Sequence, residues 1–327
     1  MLFFRTSRVS KAILLLCALM LLCIGTVWAG GQKEADKASA EGEKPVVGLV
    51  MKSLANEFFK VMEEGAQKFA EEDGSFELIA VGMNSETDID TQVSAMENFI
   101  TQQVDVIVVA PADSVGMVSS VKKAVDAGIT VVNFDVTLNK DALEEAGLPR
   151  DFLFVGPDNS GGAELVGDKL GETLGEGGKV IIIEGNPGAD NAKQRKEGFM
   201  RSVEKYKLDL LASRTAHWET EEANTVVTNL ITAHPDVQGI MCANDSMAIG
   251  AAKALDAAGR DDIEIVGFDN IPAVQELIKQ DKVLATVDQF GPQLAAEGIK
   301  AGLSILEGAK LSGWQKTPIK LVAKADL

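Results

Sequence analysis

Cysteine is nearly absent from this 327-residue chain, which holds only Cys17, Cys23 and Cys242. The first two fall in an N-terminal stretch expected to be removed, so Cys242 is left alone and no internal disulfide is available. It sits between Met241 and Ala243 at a strand end and reads as a buried, inert thiol. Histidine is scarce too: His217 and His234 are the only two, neither lies at metal-ligand spacing, and no metal is expected. Basic residues are outnumbered, 31 Lys and Arg against 49 Asp and Glu for a formal charge of −18. A polyanion needs a basic footprint, so nucleic acid is excluded as a partner. Enzyme motifs are missing as well. There is no Gly-x-Gly-x-x-Gly after the first strand, no Gly-Lys-Ser/Thr phosphate loop, no Gly-x-Ser-x-Gly elbow and no His-Glu-x-x-His. No enzyme and no cofactor are expected. What remains is 46% hydrophobic and long enough for two domains.

The N-terminus carries Arg5, Arg8 and Lys11, then an apolar run from Ala12 to Ile24, then Val27-Trp28-Ala29 before a polar stretch. That order is a secretory signal peptide over residues 1–29, because a spanning helix needs ~20 apolar residues. Lipid anchoring at Cys23 is the alternative, opposed by bulky Leu22 where such sites want a small residue. Removal of the leader takes Lys and Arg to 28 and the formal charge to about −21, as suits a soluble extracytoplasmic protein. Residues 30–44 have no apolar periodicity and read as a flexible tether. The expected location is the periplasm.

From Pro45 onward, short apolar runs alternate with helical stretches. Val46–Met51, Phe76–Val81, Val106–Ala110 and Thr130–Asn133 are separated by helices near 58–71, 87–102 and 115–127. After a loop at Asn139–Asp151 the rhythm restarts with Phe152–Val155, Lys179–Glu184, Asp209–Ala216, Gly239–Ala243 and Ile263–Val266. Such alternation predicts βαβ units around parallel sheets, in two similar halves. Leu284–Val287, a helix near 292–307 and Ile319–Val322 end the chain. A chain that crosses between halves more than once ties them at a hinge with a cleft between. The expected fold is α/β, with two doubly wound parallel-sheet lobes. One takes residues 45–157 with 290–318, the other 158–289 with 319–327.

Ligands of open α/β sheets sit outside the carboxyl ends of the strands. Two apolar runs end there in Asn244-Asp245 and Asp269-Asn270, whose short amide and carboxylate suit paired hydroxyls. Asn133-Phe134-Asp135 echoes Gly267-Phe268-Asp269, which places one strand-end carboxylate in each half; a helix N-cap is the plainer role for either. Adjacent Phe58 and Phe59 cannot both point inward from one helix, so one is free to face the cleft and stack on a sugar. Donors Asn191, Lys193 and Arg195 crowd a helix start, where an electron-rich ligand is favoured; Arg195 could equally pair with an acid and brace the loop. Trp218 occupies a loop where a large indole is seldom left without cause. The Glu86, Asp88, Asp90 run lacks the Gly and Glu of a calcium loop and reads as an acidic first helical turn.

Several stretches together resemble the periplasmic sugar-binding proteins of the ribose-binding, type I class. They are Asn56–Phe59, Val109–Ser114, Phe134-Asp135, Arg195–Phe199, Leu230–Val237, Ala243–Gly250, Val266–Asp269 and Ala285–Gln289. The resemblance implies lobes joined by three hinge crossovers, a sugar clamped between aromatics, and delivery to an ABC-type membrane permease. Carried over by position, Lys52, Asn56, Phe58, Phe59 and Asp135 line the first lobe, and Asn191, Lys193, Trp218, Asn244, Asp269 and Gln289 the second. Lys52, Ala110, Val136 and Lys193 depart from the ribose pattern, which has Ser, Asn, Arg and Arg there. The expected ligand is a neutral pentose, hexose or polyol, and its identity turns on these departures. A monomer serving a permease is expected, with presentation to a chemoreceptor as the alternative.

Overall fold

Runs of Val, Ile and Leu buried on both faces make parallel strands that need helices on either side. In the computed structural model, which describes residues 44–327, they form two six-stranded sheets. The expected leader and residues 30–43 of the expected tether lie outside the described residues. The first five strands are β1 (Val46–Ser53), β2 (Glu77–Met83), β3 (Val106–Val109), β4 (Thr130–Phe134) and β5 (Phe154–Gly156). The next five are β6 (Lys179–Glu184), β7 (Asp209–Thr215), β8 (Gly239–Cys242), β9 (Glu264–Val266) and β10 (Ala285–Asp288). β11 (Trp314–Lys316) and β12 (Lys320–Ala323) complete them. The orders are β11-β5-β4-β3-β1-β2 and β12-β10-β9-β8-β6-β7, the same winding used twice. Only the last-added strand differs: β11 runs parallel to β5, whereas β12 runs antiparallel to β10.

The helices are α1 (Glu57–Asp73), α2 (Ile89–Gln102), α3 (Val118–Asp126), α4 (Lys140–Glu145) and α5 (Asn159–Leu174) in the first half of the chain. They are followed by α6 (Asp190–Tyr206), α7 (Thr220–Ala233), α8 (Asp245–Ala258), α9 (Pro272–Lys279) and α10 (Gly291–Leu306). Although α10 follows the second sheet's β10, it packs on α1 and β4 of the first. The chain therefore passes between sheets three times: from β5 to β6, from β10 to α10, and from β11 to β12. None of the described helices is long and apolar enough to cross a membrane.

Two elements correct the sequence reading. The expected loop at Asn139–Asp151 contains α4, started by Asn139, whose side chain accepts from the N–H groups of Asp141 and Ala142. The edge strand β11 has three exposed residues and no apolar alternation to betray it; it exists because β5 offers it a ladder. Elsewhere the elements begin and end within a few residues of their predicted limits.

The strand ends are set by one local device used in both lobes. Phe134 and Phe268 are fully buried beneath their sheets. The next residue, Asp135 or Asp269, turns into positive φ, at 60° and 129°. Each aspartate keeps its N–H in the sheet, Asp135 to Val155 O at 3.0 Å and Asp269 to Val287 O at 2.8 Å. The side chain is thereby turned out of the strand and toward the cleft.

Candidate functional site

One cavity lies between the carboxyl ends of the two sheets. From the first lobe it is lined by Lys52, Asn56, Phe58, Phe59, Glu86 and Asp135, and from the second by Asn191, Arg195, Trp218, Asn244, Asp269 and Gln289. Ten of the eleven residues expected from the sequence are brought together there. Lys193 is not. Its ammonium bonds to Asp190 at 3.0 Å and its side chain is 55% exposed. On a helix, residues 191 and 195 share a face while 193 lies about 200° away from 191, so Arg195 is the cation that α6 presents.

The polar side chains divide into held and open atoms. Asn56 and Asn244 each cap a helix, accepting from Phe58 N at 3.1 Å and Met247 N at 2.9 Å. Their amide nitrogens are also engaged, Asn56 Nδ2 with Glu86 Oε1 at 2.8 Å and Asn244 Nδ2 with Trp218 O at 3.3 Å. Arg195 donates from Nε to Asn159 and from Nη1 to Ala243 O and, at 3.5 Å, to Asp269 Oδ1. Gln289 Nε2 donates to the same Asp269 oxygen at 2.7 Å. Against these, Asp135 Oδ1, Asn191 Oδ1, Gln289 Oε1 and Trp218 Nε1 are buried with no protein partner. Buried polar groups are almost always paired, and each left unpaired costs about 1–3 kcal/mol. Four such atoms around one cavity are a recognition pattern for a hydroxyl-rich molecule: three acceptors and one donor.

The aromatic residues are buried and line the site at once. Phe58 and Phe59 are 5% and 3% exposed and meet edge to face at 5.2 Å. Trp218, read from the sequence as a loop residue, is 3% exposed and held at φ 73°, a conformation that strains a bulky residue. It lies on Gly185, where a Cβ would come within 2.1 Å of the indole, so only glycine lets the ring settle there.

Charge in the cavity is finely balanced. Lys52 and Arg195 oppose Glu86, Asp135 and Asp269. Burial pushes Asp135 up to about 6, against the pull of Lys52 and then Arg195. It raises Asp269 well above the usual carboxylate range despite Arg195, and lowers Arg195 itself. Behind the site, burial lifts Asp245 to about 7, although Thr286 and the Ile271 N–H both donate to it. Asp245 does not reach the cavity; it braces the β8 and β9 strand ends. Cys242 is fully buried and its thiol is pushed up by burial.

Two lining residues escaped the sequence reading. Arg195 was seen as a donor, but which of three neighbouring donors faces inward depends on helical phase. Glu86 was assigned to a first helical turn, yet α2 begins at Ile89 with Asp88 as its cap, and Glu86 precedes it, 1% exposed. Of the departures from the ribose pattern, Ala110 and Val136 are fully buried in the core and do not line the cavity.

Five hydrogen bonds join the lobes around this cavity. They are Ser246 Oγ to Asn56 Oδ1 at 3.2 Å, Glu86 N to Glu219 Oε1 at 3.1 Å, and Gln194 Nε2 to Thr137 Oγ1 at 3.2 Å. Ser114 N to Gly188 O at 3.0 Å and Asp190 N to Ser114 Oγ at 2.9 Å complete the set. The lobes are closed.

Comparison with known proteins gives consistent matches along the described chain. Residues 47–310 match the periplasmic binding protein domain. The chain is 43% identical to the D-ribose/D-allose-binding protein of Pseudomonas aeruginosa, over 86% of this chain and 89% of that one. It is 32% identical to the ribose import binding protein of Escherichia coli, over 86% and 91%. Among solved structures it resembles an ABC transporter periplasmic solute binding protein from Actinobacillus succinogenes with bound D-allose. That match has a TM-score of 0.82 and 38% identity, and covers 86% of this chain and 99% of the other.

Proposed function

This chain belongs to the periplasmic binding protein family, and we propose that it captures one neutral aldose ring, D-allose first and D-ribose second, between its lobes for delivery to an ABC importer. Its relatives are substrate-binding proteins of importers rather than enzymes. The observation that carries the ligand class is the set of partnerless buried atoms around the cavity: Asp135 Oδ1, Asn191 Oδ1, Gln289 Oε1 and Trp218 Nε1. A sugar ring supplies hydroxyls that both donate and accept, and apolar C–H faces for the aromatic residues. An anionic ligand would meet three carboxylates, and a cation would meet Lys52 and Arg195.

Ten residues are proposed as the ligand-binding set: Lys52, Asn56, Phe58, Phe59, Asp135, Asn191, Trp218, Asn244, Asp269 and Gln289. The lobes are taken as residues 45–157 with 290–318 and 158–289 with 319–327, and residues 1–29 as the export leader. Hydrogen bonds to charged groups contribute roughly 1.5–3 kcal/mol each, and micromolar affinity needs about 8 kcal/mol. Asp135, Asp269 and Lys52 with the neutral amides supply that after closure. A ligand that touches both lobes favours the closed population, which is the form a membrane partner reads.

Titration calorimetry against D-allose, D-ribose, other pentoses and hexoses, and myo-inositol tests the reading. Micromolar or tighter binding of an aldose is expected. Heat from none of the panel overturns the sugar assignment, and a preference for myo-inositol overturns the aldose.

A further inference from the structure

The buried ion pair inside the cavity is the feature that the binding reading leaves unused. Lys52 is 2% exposed and Glu86 1%, and their charges meet at Nζ to Oε2, 2.8 Å. The contact is an ion pair, and Oε2 has no hydrogen-bond partner in the protein. Lysine and glutamate are almost never buried without a strong reason, and a buried pair is often no more stable than an apolar replacement. Glu86 has more attachments than the pair alone. Its Oε1 accepts from Asn56 Nδ2 at 2.8 Å, and its own N–H donates to Glu219 Oε1 of the other lobe at 3.1 Å. Glu219 follows Trp218 directly. The Lys52 ammonium lies 5.2 Å from the Trp218 ring centre and 5.5 Å from that of Phe59.

Resting on the sugar-binding reading, we propose that Glu86 is a positioning residue: its carboxylate aims Lys52 and Asn56 at the ligand, and its peptide N–H ties that arrangement to closure of the Trp218 segment. Lys52 has three N–H donors and only one carboxylate oxygen beside it in the ion pair. It is free to give the others to a ligand oxygen while Glu86 holds it between the aromatic rings. Glu86 thus plays in the first lobe the part that Gln289 and Arg195 play for Asp269 in the second.

The test is Glu86→Gln, which keeps an acceptor for Asn56 and the peptide N–H but removes the charge. Left without that charge, the buried ammonium is disfavoured. The other charged groups around the cavity are Asp135 at the end of β4, Arg195 on α6, Glu219 at the start of α7 and Asp269 after β9. With D-allose, or whichever panel sugar the wild type binds, the variant is expected to bind roughly tenfold more weakly at pH 7.5. In a Lys52→Met background the same Glu86→Gln change should cost clearly less than tenfold, because the ammonium that Glu86 aims is then gone. Glu86→Asp keeps the charge but shortens the reach, so it should bind weakly; it serves if the glutamine variant fails to fold. Wild-type affinity in Glu86→Gln overturns the positioning role, as does a loss of the same size with and without Lys52. A wild type that binds no sugar fails the function reading instead, so the two failures are told apart.

Discussion

The two lobes present the same device, a strand-end aspartate after a buried Phe, yet finish it differently. In the second lobe Asp269 is held in advance, with Gln289 and Arg195 both donating to Oδ1. In the first lobe Asp135 has no such brace, and its Oδ1 has no protein partner. Lys52 and Arg195 act on it only through space. The asymmetry teaches that one of the two strand-end aspartates is organised by the protein, while the other is completed by what enters. A binding protein with two fully braced walls would have fewer unmet groups for the ligand to satisfy, and so less free energy with which to favour closure.

The largest expected break comes from Arg195→Ala. It leaves Asp269 buried without its cation and strips partners from Asn159 and Ala243 O. Removing one partner of a buried pair costs about 3–5 kcal/mol, so the melting temperature should fall by roughly 10 °C and sugar binding should disappear. Calorimetric melting and titration on the same sample check both. An undiminished melting temperature would mean that the second lobe is not braced as described.

Gly185→Ala comes next. Its new methyl would sit 2.1 Å from the Trp218 ring, and overpacking of this kind costs roughly 1–3 kcal/mol. The strain falls on the indole, so affinity should drop about tenfold or more while the first lobe is untouched. Tryptophan fluorescence and a sugar titration read the displacement and the loss together.

Asp135→Asn should separate the lobes cleanly, with affinity lower by roughly tenfold and no loss of melting temperature. Its pH signature has two opposite signs. In the free protein a carboxyl raised from 3.8 to about 6 contributes stability that is complete below 3.8 and lost as pH rises through about 6. A sugar hydroxyl donating to the ionised carboxylate lowers that value again. Binding therefore releases protons, and affinity weakens as pH falls from 7 to 5. Titrations in buffers of different ionisation heat should show a larger release in the wild type than in the asparagine variant, where only Asp269 remains raised.

The smallest effect is expected at the rim. Ser114→Ala removes the acceptor for the Asp190 N–H but leaves its own N–H on Gly188 O. One neutral hydrogen bond is worth about 1 kcal/mol, so sugar release should quicken a few-fold at unchanged association, as stopped-flow kinetics would register.

Much of the site was legible before folding, for a reason visible in particular residues. Asp135, Asn244 and Asp269 stand where apolar runs stop, and a parallel sheet must bring such ends to one edge. Asn56 was named only through the family resemblance, and its side chain caps α1 and supports the cavity through Glu86. Glu86 was hidden because its neighbours Asp88 and Asp90 do begin a helix, and nothing local distinguishes the acid that turns inward from those that cap. Lys193 was misplaced because composition at a helix start counts donors but not their phase. The edge strand β11 was invisible because its residues are exposed and their order comes from β5.

Alternation of apolar runs with helical stretches was enough, by the sequence alone, to determine two doubly wound lobes and a cleft at their strand ends, because backbone hydrogen bonding and burial leave few other solutions. The same sequence carried the scattered stretches that mark the periplasmic binding protein family. Only the tertiary structure decided which polar atoms stay open. That outcome depends on partners far apart in the chain: Lys52 with Glu86, Arg195 with Asp269, Glu86 with Glu219. Pairing in a buried site is a property of three-dimensional neighbours, and no local pattern encodes it.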